Sequence, residues 1–232
     1  MTARQSDLRV MSFNIQKERG GSRAGRWAGR KEPVLLAIRA FDPDLLGAQE
    51  VQPRQVAHLR EELSEYGFAS AGRNQRVFAG ESTAIFYRTE RFERLDAGHF
   101  WLSKAPDRPG SRHWHSVVPR VVCWVQLRDR LRRGRRLFLF NAHFCPVSWG
   151  ARMQSVWLLR QRIVRLAGRL PAVVTGDFNT QAGGKAYTTL RDGMHDGGLE
   201  LIDAYRAVHP DPEPYEGTWH GPSGRRGRRR ID

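Results

Sequence analysis

Cysteine is scarce: Cys123 and Cys145 are the only two in 232 residues. Two thiols make no disulfide framework, and neither sits in a C-x-x-C pair of the kind that holds a structural metal. Lysine is nearly as rare, at Lys17, Lys31, Lys104 and Lys185 among 39 basic residues, so the positive charge is almost all arginine. Long apolar runs are missing too. A stretch such as Val121-Val122-Cys123-Trp124-Val125 falls far short of the roughly 18 residues a membrane span needs. The polar start, Met1 to Asp7, leads straight into an apolar run and has no signal-peptide pattern. The expectation is a soluble, cytoplasmic protein. Short-period repeats and Pro/Ser-rich linkers are also absent, and composition holds steady up to Gly217, so residues 1–232 read as a single domain.

What is present is ordinary globular material, 40% hydrophobic and 27% charged, enough to bury a sizeable core. The net charge of +15 is less ordinary. It fits attraction of a polyanion or acidic substrate, and equally an arginine-rich solvated surface. Arg225, Arg226, Arg228, Arg229 and Arg230 cluster among glycines and read as a flexible, solvated loop.

Apolar runs predict strands over Leu8–Ile15, Asp44–Glu50, Ala84–Tyr87, His99–Leu102, Val121–Leu127, Leu137–Phe144 and Pro171–Gly176, with the first and last of these buried. Helical spacing appears at Val34, Leu35, Ile38 and Phe41, with Pro33 near the first turn. It recurs at Val56, Leu59 and Leu63, and over Ala151–Leu166. Ser103–Pro119 reads as a long loop. Such alternation of strands and helices, with strand pairs joined by turns, indicates an α/β protein whose sheets are covered by helices.

Polar residues repeatedly close the apolar strands. Asn14, Glu50, His143, and the pair Asp177 and Asn179 each follow such a run. Ligands in open α/β sheets bind just outside strand ends, so these groups are candidates for one cleft. Glu50 offers hard oxygen and Asn14 an amide oxygen to a cation such as Mg²⁺, which takes few protein carboxylates and keeps waters and substrate oxygens. Asp177 is placed to orient or deprotonate a water, and Asn179 and His143 to donate to phosphoryl oxygens. In an extended segment, side chains two apart such as Asp177 and Asn179 point to one side. Singly, each residue also reads as a helix cap, a turn former or a satisfied core polar group.

Ser12-Phe13-Asn14-Ile15, Gln49-Glu50-Val51, Asn141-Ala142-His143 and Gly176-Asp177-Phe178-Asn179, in this order, resemble the endonuclease/exonuclease/phosphatase (deoxyribonuclease I-like) superfamily, in its bacterial metal-dependent hydrolase branch. Trp27 with Arg30-Lys31, Gly80-Glu81, Phe100-Trp101-Leu102-Ser103 and Arg120 support the likeness. The resemblance implies a four-layer α/β sandwich, two packed mixed β-sheets flanked by helices, with Mg²⁺ or Mn²⁺ at one end. It implies Asn14 and Glu50 at the metal, and His143, Asp177 and Asn179 at phosphate and nucleophile. It also suggests Glu81 as an acid supporting His143, and leaves Arg120 as either a phosphate contact or a structural arginine.

Arg230-Ile231-Asp232 resembles the segment that opens the superfamily's penultimate strand, where the aspartate orients a histidine in a later Ser-Asp-His. The sequence stops at Asp232, so the resemblance implies a C-terminally truncated fold without its last strand. Losing one preorganised donor of this kind costs ~10²–10³ in rate. The expected function is divalent-metal-dependent phosphoesterase, by in-line attack of activated water on a phosphodiester or phosphomonoester. The alternatives are a weakly active or inactive domain that keeps metal or polyanion binding, and a nuclease acting on DNA or RNA. The expected partner is a phosphate-ester substrate, nucleic acid among the candidates. Oligomeric state has no signature in the sequence.

Overall fold

The computed structural model describes residues 7–18, 25–74, 80–193, 199–213, 216–219 and 229–232. Its elements are β1 (Val10–Asn14), α1 (Trp27–Phe41), β2 (Leu45–Val51), α2 (Pro53–Glu62), β3 (Tyr66–Gly72), β4 (Ser82–Arg88), β5 (Phe92–Trp101), β6 (Val121–Asp129), β7 (Arg135–His143), α3 (Trp149–Ala167), β8 (Ala172–Asp177), α4 (Lys185–Asp192) and α5 (Ala204–Val208). Two four-stranded mixed sheets result, ordered β1-β2-β4-β3 and β5-β6-β7-β8. In each, one pair is parallel, β1 with β2 and β7 with β8, and the others are antiparallel.

Three apolar layers make this a helix–sheet–sheet–helix sandwich. Leu45, Ile85, Phe92, Val125, Leu127 and Leu139 pack between the sheets. Leu35, Ile38, Leu46, Leu59 and Phe86 join α1 and α2 to the first sheet. Phe140, Val156, Leu159 and Ile163 join α3 to the second. Each fully buried side chain of this kind contributes about 1.5–3 kcal/mol. No described helix is long and apolar enough to cross a membrane.

Several expectations change. β1 and β8 are edge strands, largely half-buried, where buried strands are expected. α1 starts at Trp27, so Pro33 lies inside it. Pro33 has no N–H to give, but buried Trp27 and the Arg30 guanidinium on the Ile15 and Gln16 carbonyls hold the preceding turn in place. β3 is missed because Tyr66–Gly72 is built largely from Gly, Ala and Ser, poor strand formers. β5 begins seven residues before His99, because one flank of this edge strand is solvated and its pattern reads polar.

The sheets meet closely where the site is built. A Cβ on Gly47 in β2 would come within 2.1 Å of Thr175 Oγ1 in β8, so only glycine fits there. Asn141 Nδ2 donates to the Ala48 and Ala84 carbonyls, both at 2.9 Å, and Gln49 Nε2 donates to Asn141 Oδ1 at 2.7 Å. Both side chains are fully buried. This clasp locks the ends of β2 and β7 together and carries Glu50 and His143 to one rim.

Candidate active site

Glu50 occupies a β-bulge. The β2–β4 register shifts between Ala48 and Val51, and Glu50 has φ of 59°. A left-handed non-glycine backbone is uncommon, and here it turns the carboxylate out of strand alternation toward the rim. Glu50 Oε2 accepts from the Lys17 N–H at 3.1 Å.

Asn14, at the end of β1, joins the two carboxylates. Its Nδ2 donates to Glu50 Oε1 at 3.1 Å and to Asp177 Oδ2 at 3.0 Å, while its Oδ1 accepts from Gln16 N at 2.9 Å. Residues 163 positions apart in the chain thus meet through one amide. Asp177 Oδ1 accepts from Asn179 N at 3.0 Å, and Asn179 Nδ2 donates to the Phe144 carbonyl at 3.1 Å. Asn179 has φ of 49°, so this pair reaches the cavity through a tight turn and not through the expected extended segment.

His143 Nε2 lies 3.8 Å from Asp177 Oδ2. Burial, then the charges of Arg120, Arg73 and Lys17, hold its pKa well below the usual histidine value, so the imidazole is neutral near pH 7. Burial raises the Asp177 pKa, reinforced by Glu50 and opposed by the Asn14 and Asn179 hydrogen bonds. Asp232 is pushed up to about 6, chiefly by burial, with the Asp177 charge adding to it.

Glu81 is engaged elsewhere than expected. Its carboxylate takes Lys17 Nζ at 2.8 Å and Arg73 Nη1 at 2.7 Å, so it pairs with these two cations and not with His143. Arg120, directly before β6, is 8% exposed.

The eight candidates Asn14, Glu50, Glu81, Arg120, His143, Asp177, Asn179 and Asp232 all line one cavity of about 680 Å³. Sequence reasoning passed over Gln16, Lys17 and Arg73 as part of that lining. Lys17 lies three residues after Asn14 and Arg73 at the end of β3, and nothing local marks either.

Asp232 is delivered by the segment before it. Arg230 pairs with Asp203 and lies over the Tyr205 ring, 5.0 Å from its centroid. The Phe178 N–H donates to the Ile231 carbonyl at 2.9 Å, and Ile231 N donates to Thr218 Oγ1 at 3.1 Å. Arg230 is therefore an anchor, not part of a solvated run, while Arg225, Arg226 and Arg228 lie outside the described residues.

The carboxylates and amide suit a hard dication. Among the described residues no group of three or more His, Cys, Asp or Glu is arranged to hold a metal. Asp177 and Asp232, with pKa values raised by burial and like charge, are the environment a bound dication relieves.

Residues 11–232 match the Endonuclease/Exonuclease/phosphatase family. The chain belongs to that family. Among solved structures it is similar to mannosyl-6-phosphatase Bt3783 of Bacteroides thetaiotaomicron VPI-5482, at 32% identity and TM-score 0.75, covering 79% of this chain and 70% of that one. A family member from Bacteroides vulgatus gives 36% identity and TM-score 0.75, covering 78% and 69%. Carbon catabolite repressor protein 4 homolog 5 of Arabidopsis thaliana is 26% identical over 163 residues, 66% of this chain and 35% of that protein. The chain therefore spans about a third of that plant relative. The family hydrolyses phosphate esters, and its bacterial members carry the likeness in fold and sequence.

Proposed function

We propose that this family member is a divalent-metal-dependent phosphoesterase acting by in-line attack of activated water. The observation that carries the reading is the Asn14 amide joining Glu50 and Asp177 in a cavity that also holds His143, Asn179, Arg120 and Asp232. Glu50 would hold the cation together with the Asn14 Oδ1 that now accepts from Gln16 N, and the cation would supply charge stabilisation on the phosphoryl oxygens. Asp177, fixed through Asn14 and the Asn179 N–H, would orient the attacking water and take its proton. Neutral His143 and the Asn179 amide would donate to non-bridging oxygens as their charge grows. Arg120 would pair with the phosphate. Asp232, with pKa raised to about 6, would add its carboxyl to the acidic side of the cavity beside Asp177.

Turnover of chromogenic phosphate esters with Mg²⁺ or Mn²⁺ tests the reading. Activity should vanish in EDTA, and Asp177→Asn should lower kcat by ~10²–10³. Hydrolysis unaffected by both treatments would refute it. Metal-linked stabilisation without turnover would instead identify the binding-only alternative.

A further inference from the structure

The charges around the cavity fall into two groups. Glu50, Asp177 and Asp232 form the acidic group. Lys17, Arg73 and Arg120 form the basic one, with the Glu81 carboxylate shared between Lys17 and Arg73. The Arg120 guanidinium makes no side-chain hydrogen bond or ion pair among the described residues, although the residue is only 8% exposed, and it feels Glu81 and Asp177 at longer range. The Nε atoms of Arg73 and Arg120 are both buried and unbonded. Lys17 and Arg73 share the one Glu81 carboxylate at ion-pair distance, and the Arg120 guanidinium has no carboxylate at that distance among the described residues.

A buried guanidinium with no direct ion pair is costly, so this group is suited to receive an anion. The charge of that anion is the informative part. A phosphodiester carries one negative charge, whereas a phosphomonoester carries about −1.5 to −2 and presents three terminal acceptor oxygens. Neutral His143 adds a donor without adding charge. Resting on the phosphoesterase reading above, we propose that this basic group selects the terminal phosphate of a monoester over the internal phosphate of a diester. The reaction is then hydrolysis of a monoester. The water oxygen bonds to phosphorus, the P–O bond to the alcohol breaks, and the alcohol leaves with a proton, giving inorganic phosphate. The alcohol portion would rest on the apolar mouth, where Val117, Val147 and Trp219 are 61%, 73% and 55% exposed.

Calorimetric titration with inorganic phosphate and with dimethyl phosphate tests this with and without Mg²⁺, and needs no turnover. Inorganic phosphate should bind about tenfold or more tightly than dimethyl phosphate. Arg120→Gln and Arg73→Gln should each bring the two within about threefold, while Arg165→Gln, on the exposed face of α3, leaves the ratio intact. A thermal melt of each variant verifies folding. The ratio of kcat/KM for p-nitrophenyl phosphate over bis-p-nitrophenyl phosphate should follow the same order. Equal binding, or preference for dimethyl phosphate, overturns the monoester proposal and leaves the phosphoesterase reading standing. Binding of neither anion, with or without Mg²⁺, overturns both.

Discussion

Burying a guanidinium without a direct ion pair opposes folding, and Arg120 lines the cavity in that state. Burial, and then Arg73 beside it, pull its pKa below the ordinary arginine value, meaning the folded protein disfavours the charged form. The sign of a neutral replacement follows. Arg120→Gln should stabilise the ligand-free protein by about 1 kcal/mol, or about 2–4 °C in Tm, while weakening phosphate binding. Differential scanning calorimetry with and without phosphate reads both effects. A lower Tm for the variant would show that Arg120 is structural. Glu50 tells a similar story through its backbone. Its left-handed conformation at the bulge gives up regular pairing to aim a carboxylate into the cavity.

Among the elements, the extended stretch ending at Asp232 depends on a few contacts outside any sheet. Arg230 joins it to Asp203, and Tyr187 Oη also donates to Asp203 at 2.6 Å. Burial works against ionisation of Asp203, but the bonds from Arg230, Tyr187 and the Arg206 N–H prevail and hold its pKa down to about 2. The unfolded chain therefore binds this proton more readily than the folded one. The stabilisation is complete above about pH 4 and is lost as pH falls toward 2. Arg230→Ala should cost about 2 kcal/mol at pH 7. It should flatten acid unfolding between pH 4 and 2 and lower kcat by releasing Asp232 from the cavity. Urea melts across that range, alongside kcat at pH 7, check the prediction. Unchanged melts would show that Asp203 has no role in holding the segment.

On the scale of the whole molecule, the sandwich gathers side chains from both sheets at one end, and the surface surrounds them with a net charge of +15. A field of that sign would steer anionic substrates to the cavity, and salt would screen it. Raising ionic strength from about 0.01 to 0.15 M, over which the Debye length falls from ~30 to ~8 Å, should lower kcat/KM several-fold and leave kcat nearly constant. A salt series of initial rates separates the two. A kcat/KM independent of salt would assign the arginines to a solvated surface with no part in capture.

Strand and helix existence was legible wherever burial imposed a clear period, as in β2, β6, β7 and α3. So were Asn14, Glu50, His143, Asp177 and Asn179, because a polar group closing an apolar run is a local pattern. Strand β3 and the start of α1 were not, since weak formers and an internal proline were overruled by pairing and by the buried Trp27. Lys17, Arg73 and the true partners of Glu81 were equally hidden. Ion pairs leave no periodicity, and it is the pairing of β1, β3 and β4 within the first sheet that brings Lys17 and Arg73 to Glu81. The amino-acid order thus determined which chemistry the chain carries and where each strand ends. The tertiary structure alone decided which charges face one another, because Coulomb and hydrogen-bond energies depend on separations of a few ångströms that sequence spacing does not encode.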